Sequence, residues 1–261
     1  MMMLCIIGFL GSAAGLGQTL WRSEKEQKDF DRLAQIALAG NQEQTKNTGK
    51  TGDSEVSGPG SSDGRQELNI NCEELARLNG DFAGWLYIDG TKINYPVMHT
   101  PEDQQYYIHR DFYGNRSYGG TLFMGDQCDV DSQSMIIYGH NMKNGSMFGE
   151  LENYGEISWW EDHPVIEFYT EEGNRRYEVF AAFRTRIFSD GEDGFRYYQY
   201  IGDLSGDQFD TFVRQLRREA LYDTGIVPEY KDQILMLSTC SYHTADGRFV
   251  VAARKAAEEN E

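Results

Sequence analysis

The sequence predicts a mainly β fold, about eight short strands with a few inserted helices, closed or nearly closed into a barrel. Short apolar or alternating runs recur between Gly, Asn and Asp turn signals, the pattern of strands rather than of long helices. Aromatic residues are abundant, with 16 Tyr, 14 Phe and 4 Trp in 261 residues, which suits pleated, half-buried surfaces. No repeat with a period of about 20 to 50 residues is visible, so a solenoid or propeller is not indicated. A closed barrel pairs every strand edge and so accommodates many short strands without exposed ones.

From the N-terminus, Met3 to Trp21 is mostly apolar and uncharged, about the length a membrane helix needs. The expectation is an N-terminal membrane anchor over residues 1–21. A cleaved signal peptide is the competing reading, although no basic stretch precedes the segment. Arg22, Lys25 and Lys28 follow it, and by the positive-inside rule they favour a cytoplasmic C-terminal side. Phe30, Leu33, Ala34 and Ala37 fall at helical spacing, so residues 22–39 read as a juxtamembrane helix. Residues 40–66 are Gly-, Ser-, Thr-, Asn- and Gln-rich with almost no large apolar side chain, and read as a flexible linker. A globular domain spans 67–261, opening with a short helix capped by Asn71 and Glu74.

Strands are expected over Gly84–Ile88, Ile93–Met98, Thr121–Met124, Ser134–Tyr138, Val165–Tyr169 and Tyr177–Arg186, the last two joined by a turn at Glu171–Asn174. Pro101–Arg110 reads as helical, and so does Met147–Tyr154. Ser205 with Gln208 forms a capping-box pattern, and Phe209, Phe212, Val213, Leu216 and Ala220 supply the apolar stripe of the helix that follows. Ile234–Leu237 is an unbroken apolar run, as of a buried strand, and Arg248 opens another at Phe249–Ala253.

Net charge is -18, which argues against binding to a nucleic-acid backbone. The four cysteines, at 5, 72, 128 and 240, are too few and scattered for a disulfide framework. Cys240 stands apart because it ends a buried strand where a polar loop begins, a place typical of functional side chains. If the two C-terminal strands pair antiparallel, the thiol ends one and the Arg248 guanidinium opens the next, side by side. A thiol needs a neighbouring cation to ionise at neutral pH, and Arg248 offers a fixed fork of donors for a developing oxyanion. Five histidines compete for an acid–base role. His109 sits beside Arg110 and Asp111 and reads as a solvated pair; His163 precedes Pro164 and reads as a strand-entry residue; His99 has no motif. Cys240-x-x-His243 has half the spacing of a zinc site but lacks a second pair. Neither a metal nor a cofactor is expected.

Leu237-Ser238-Thr239-Cys240 followed eight residues on by Arg248, with Tyr138-Gly139-His140-Asn141 upstream, resembles a sortase, and more narrowly a class B sortase. The resemblance runs from about Asp81 to Lys255. It implies an eight-stranded sortase-type β-barrel with N-terminal helices and a helix inserted between the sixth and seventh strands, here between Phe188 and Ile226. It selects His140 as partner of Cys240 and Arg248. It also implies groove residues: Ser238 of the motif itself, Tyr200-Ile201 before the inserted helix, and Ile108; for Ile108 and Ile201 simple core packing is the equal alternative.

The activity implied is that of a cysteine transpeptidase. It cleaves surface proteins after the threonine of an Asn-Pro-x-Thr-like C-terminal sorting signal, and passes them to the amine of a cell-wall precursor of lipid II type. The body would lie outside the cell, held by a single N-terminal membrane segment. Rival readings are a pilin-polymerising or mainly hydrolytic sortase, and a non-catalytic wall-associated β-barrel.

Overall fold

The computed structural model describes residues 28–38 and 68–257; the expected anchor over 1–21 and linker over 40–66 lie outside them. Eight strands close into a barrel: β1 (Phe82–Tyr87), β2 (Asn94–Met98), β3 (Leu122–Met124), β4 (Ser134–Tyr138), β5 (Val165–Thr170), β6 (Gly173–Arg186), β7 (Ile234–Cys240) and β8 (Gly247–Lys255). Their order around the barrel is β1-β2-β3-β4-β7-β8-β6-β5, with β5 returning to β1. Two neighbours are parallel, β2 with β3 and β4 with β7. The remaining pairs are antiparallel, and a Glu171-Glu172 turn joins β5 to β6 by pairing Thr170 with Gly173. The closed, mainly β fold expected from the sequence is the one observed.

Helix α1 covers residues 28–38, and the expected stripe is its buried face, with Phe30, Leu33 and Ala37 against the barrel. The Phe30 ring meets Tyr95 of β2 edge-on at 5.3 Å between centroids. Helix α2 (Cys72–Leu78) starts with the Asn71 side chain accepting from the Glu74 amide at 3.0 Å. The reciprocal half of the capping box is absent because the Asn71 amide donates to the Ala37 carbonyl instead, tying α2 to α1. Among the described residues no helix is long and apolar enough to cross a membrane.

Two helical expectations are corrected. Pro101–Arg110 forms only a 3-10 turn at Tyr106–His109. Backbone groups that a helix would pair internally are used elsewhere: the Tyr107 carbonyl accepts from the Thr121 amide and the His109 carbonyl from the Ser117 amide. Met147–Tyr154 likewise yields a 3-10 turn at Leu151–Gly155, followed by the unforeseen short helix α3 (Ile157–Asp162). Met147 has φ 52°, which a helix excludes.

The connection from β6 to β7 carries α4 (Gly206–Glu219), with both hydrogen bonds of the Ser205–Gln208 capping box formed. Phe209, Phe212, Val213 and Leu216 are its buried residues. Burying four such side chains stabilises by about 1.5–3 kcal/mol each relative to exposure, enough to hold the insertion on the barrel wall.

Candidate active site

Three neighbouring strand ends form one rim of the barrel. β7 ends at Cys240 and β8 begins at Gly247, and Cys240 lies directly opposite Arg248 in their antiparallel register. Facing residues on adjacent strands project to the same side about 4.5–5.5 Å apart at Cβ, so thiol and guanidinium share one face. Gly247 permits this tight return. A Cβ there would sit 2.3 Å from the Ser241 carbonyl oxygen, and the observed Ser241 amide to Gly247 carbonyl bond closes the loop at 2.9 Å. Cys240 is exposed, whereas Cys72 and Cys128 are buried. Burial pushes the Cys72 thiol up to about 12 and the Cys128 thiol up to about 11, so neither ionises at neutral pH.

On the other side, β4 runs parallel to β7 and brings Tyr138 level with Ser238. The chain beyond β4 is stitched to β7 by three bonds. The Gly139 amide donates to the Ser238 carbonyl at 3.2 Å. The Thr239 hydroxyl donates to the Gly139 carbonyl at 2.7 Å, and Asn141 Nδ2 donates to the Cys240 carbonyl at 2.9 Å. His140 lies between those anchors. Gly139 is required by close packing: a Cβ would fall 2.4 Å from Leu122 Cδ2 and 2.7 Å from Phe148 Cδ2.

The His140 ring is half-buried, with Nε2 2.8 Å from the Ile108 carbonyl oxygen. A carbonyl only accepts, so Nε2 carries the proton and Nδ1 is the open position of the neutral ring. Desolvation lowers the His140 pKa, the Ile108 carbonyl partly opposes this, and the neighbouring His109 lowers it further. The flat faces of His109 and His140 stack with centroids 5.3 Å apart and planes 18° from parallel. Arg248 Nη1 donates to the Gly247 carbonyl at 2.9 Å and lies 3.3 Å from that of Asp246. The guanidinium has further N–H donors on Nε and Nη2.

The expected groove residues part company. Ser238 is 1 % exposed and its hydroxyl pairs with the Tyr197 hydroxyl at 2.8 Å, so its side chain supports the site from beneath instead of lining a groove. Ile108 contributes its carbonyl to His140, and its side chain is half-buried. Tyr200 and Ile201 are half-buried near the start of β4: Ser134 Oγ donates to the Tyr200 carbonyl at 2.6 Å. Ser134 to Tyr138 spans four residue steps, about 13 Å of strand, which separates this pair from the Cys240 rim. The Tyr200 ring stacks on Phe212 of α4 at 4.9 Å. Tyr197, three residues before Tyr200, is the tyrosine that reaches the site. Its hydroxyl pKa is pushed up to about 12 by burial, with Ser238 and Arg248 opposing. The run Tyr197-Tyr198-Gln199-Tyr200 was the available signal, but it does not say which ring turns inward.

His243 stays a loop residue, its Nδ1 2.9 Å from Ser241 Oγ. Among the described residues no three His, Cys, Asp or Glu side chains gather as a metal cluster. A wide concavity of about 960 Å³ opens at the opposite end of the barrel, between Asp131, Glu172, Arg175, Asp232 and Arg254. Its two arginines are already paired, Arg175 with Asp131 and Glu172, and Arg254 with Glu178 and Asp232. The rim at Cys240 is therefore the place where exposed, chemically competent groups converge.

Comparison with known proteins identifies the family. A family model described as a sortase domain matches residues 86–256. Sortase B of Staphylococcus aureus (strain NCTC 8325 / PS 47) is 30 % identical over 196 residues, 73 % of this chain and 76 % of that protein. Sortase B of Listeria monocytogenes serovar 1/2a is 29 % identical over 192 residues, 72 % and 75 % respectively. The fold matches a Staphylococcus aureus sortase B–substrate complex with TM-score 0.70 and 23 % identity, covering 92 % of this chain and 100 % of that one. With the family model spanning well over half the chain, the protein belongs to the sortase family, among the class B sortases, and is a cysteine transpeptidase.

Proposed function

We propose that Cys240, His140 and Arg248 perform a two-step acyl transfer from a sorting signal to an amine. The observation that carries the reading is the register of β7 on β8, which sets the exposed thiol opposite the guanidinium, with the segment after His140 tethered to the same strand end through Asn141. In the first step the Cys240 thiolate attacks the carbonyl carbon of a threonine. The C–N bond breaks, the proton on His140 Nδ1 goes to the leaving amine, and a thioester remains. In the second step an incoming amine attacks the thioester, Nδ1 takes its proton, the new amide forms and the thiolate is released. No electrons leave the cycle. Arg248 stabilises the oxyanion in both steps.

The substrate is a surface protein with an Asn-Pro-x-Thr-like C-terminal signal. The acceptor is the amine of a cell-wall precursor of lipid II type. Support for the signal is the family membership and the existence of a solved sortase B–substrate complex of Staphylococcus aureus. Ile108 beside His140, and Tyr200-Ile201 further along the wall against α4, are the residues proposed to contact it. The chain is proposed to be held at the cell membrane by residues 1–21, with residues 40–66 as tether and the catalytic domain extracellular. The apolar run Met3 to Trp21 supports this.

The test is incubation of the purified protein with an Asn-Pro-x-Thr-x peptide and an amine, following ligated and hydrolysed products by mass spectrometry. Cys240→Ala and His140→Ala lose turnover. Arg248→Lys loses the fork geometry, and kcat falls by about 10²–10³, the cost of one oxyanion donor. Ligation that persists in Cys240→Ala removes the mechanism. Hydrolysis unaffected by added amine would reassign the protein as a sortase that cleaves without joining.

A further inference from the structure

One turn of the chain grips His140 at two points. The Tyr106–His109 turn presents the Ile108 carbonyl to the ring edge at 2.8 Å and lays the His109 imidazole over its face at 5.3 Å and 18°. The turn is itself anchored. Tyr107 is buried, and its hydroxyl donates to Asp81 Oδ2 and accepts from Asn79 Nδ2, each at 2.8 Å. Its backbone is pinned by Thr121 and Ser117. A ring held at edge and face loses most of its freedom to rotate, so Nδ1 keeps a fixed aim.

We propose that His109 is a positioning residue for His140, its stacked ring fixing the plane of the acid–base imidazole. The proposal rests on the reading of His140 as the acid–base group. The titratable group in ring contact with His140 is His109 from the turn, and Cys240 of β7 and Arg248 of β8 sit at the same rim of the barrel. Arg110, next to His109, is turned away, its guanidinium 4.4 Å above the Tyr106 ring and Nη1 bonded to the Gly114 carbonyl. Arg248 folds back on its own loop carbonyls. His109 is the like charge set face to face with His140, and it adds to burial in disfavouring the imidazolium. Because His109 is exposed, solvent screens the repulsion.

The experiment uses the full chain labelled with 13C-histidine, with NMR titration of His140 and pH profiles of kcat and KM for His109→Phe and His109→Ala. In His109→Phe a flat ring remains without the charge. The His140 pKa rises, the limb of the pH–rate profile assigned to His140 moves with it, and kcat at the optimum stays within about twofold of the parent. In His109→Ala the face is open, so the pKa also rises but kcat drops severalfold with KM unchanged; recovery of kcat by Phe separates ring placement from charge. A His140 pKa that stays put in both variants, or a kcat in His109→Ala equal to that of the parent, overturns the proposal. If His109→Ala fails to fold, the Phe titration decides. The acid–base reading fails separately, by turnover surviving in His140→Ala, and the NMR shift would still report whether the two rings are coupled.

Discussion

Replacing Tyr197 by Phe should cost stability out of proportion to the single atom removed. The Tyr197 hydroxyl and Ser238 Oγ are 2.8 Å apart, and the residues are 0 % and 1 % exposed, so neither group can turn to water. Deleting one hydroxyl leaves the other buried without a partner, which costs about 1–3 kcal/mol, whereas the net worth of the intact bond is about 0.5–1.5 kcal/mol. Tyr197→Phe and Ser238→Ala should each fall in the larger range. The double variant should lose clearly less than the sum, because the second deletion removes an orphan instead of creating one. Urea denaturation of the four proteins measures the cycle, with kcat/KM read alongside because Ser238 is two residues from Cys240. Additive losses, or single losses within ±0.3 kcal/mol of zero, would refute the claim that the inserted segment and β7 are coupled through this pair.

Three further outcomes follow from the geometry. A thiol-reactive probe on the folded protein should modify Cys240 and spare Cys72 and Cys128, whose thiols are buried and pushed up to about 12 and about 11; peptide mapping after labelling checks this. Asn141→Ala removes the bond to the Cys240 carbonyl, so kcat should fall with thermal stability lowered by only about 0.5–1.5 kcal/mol, whereas Ser205→Ala should cost about 1 kcal/mol of stability through the lost cap and leave kcat unchanged. The folded-state pKa of His140 lies below its unfolded value, so the folded state binds the proton less well. That penalty is absent above about pH 6.5 and grows as pH falls towards the folded pKa. Tm between pH 7.5 and 5.5 should therefore drop more in the parent than in His140→Gln.

Features that depend on residues close in sequence were readable from the chain alone. The β7 run into Cys240, the return to Arg248, the exact span of Ser134–Tyr138, and the Ser205–Gln208 box with its stripe are short-range patterns, and each appears as expected. Opposition of Cys240 and Arg248 was legible because a short loop between antiparallel strands leaves little freedom of register.

Other outcomes were decided by contacts between distant segments. The parallel pairing of β4 with β7 joins strands about a hundred positions apart, and with the bonds made by Gly139 and Asn141 it brings the His140 segment beside the Cys240 strand end. Helical spacing in Pro101–Arg110 lost to backbone bonds with Ser117 and Thr121, which convert the stretch into the turn that holds His140. Nothing in the letters ranks Tyr197 above Tyr200, or marks His109 as anything but a solvated neighbour of Arg110. The choice depends on which side of the wall each ring meets once α4 has docked and on where the turn comes to rest. Local pattern wrote the strands, the cap and the register of Cys240 opposite Arg248; the closure of the barrel brought the His140 segment to the same rim and chose the side chains that hold its ring, because those choices are made by packing, which no short window of sequence contains.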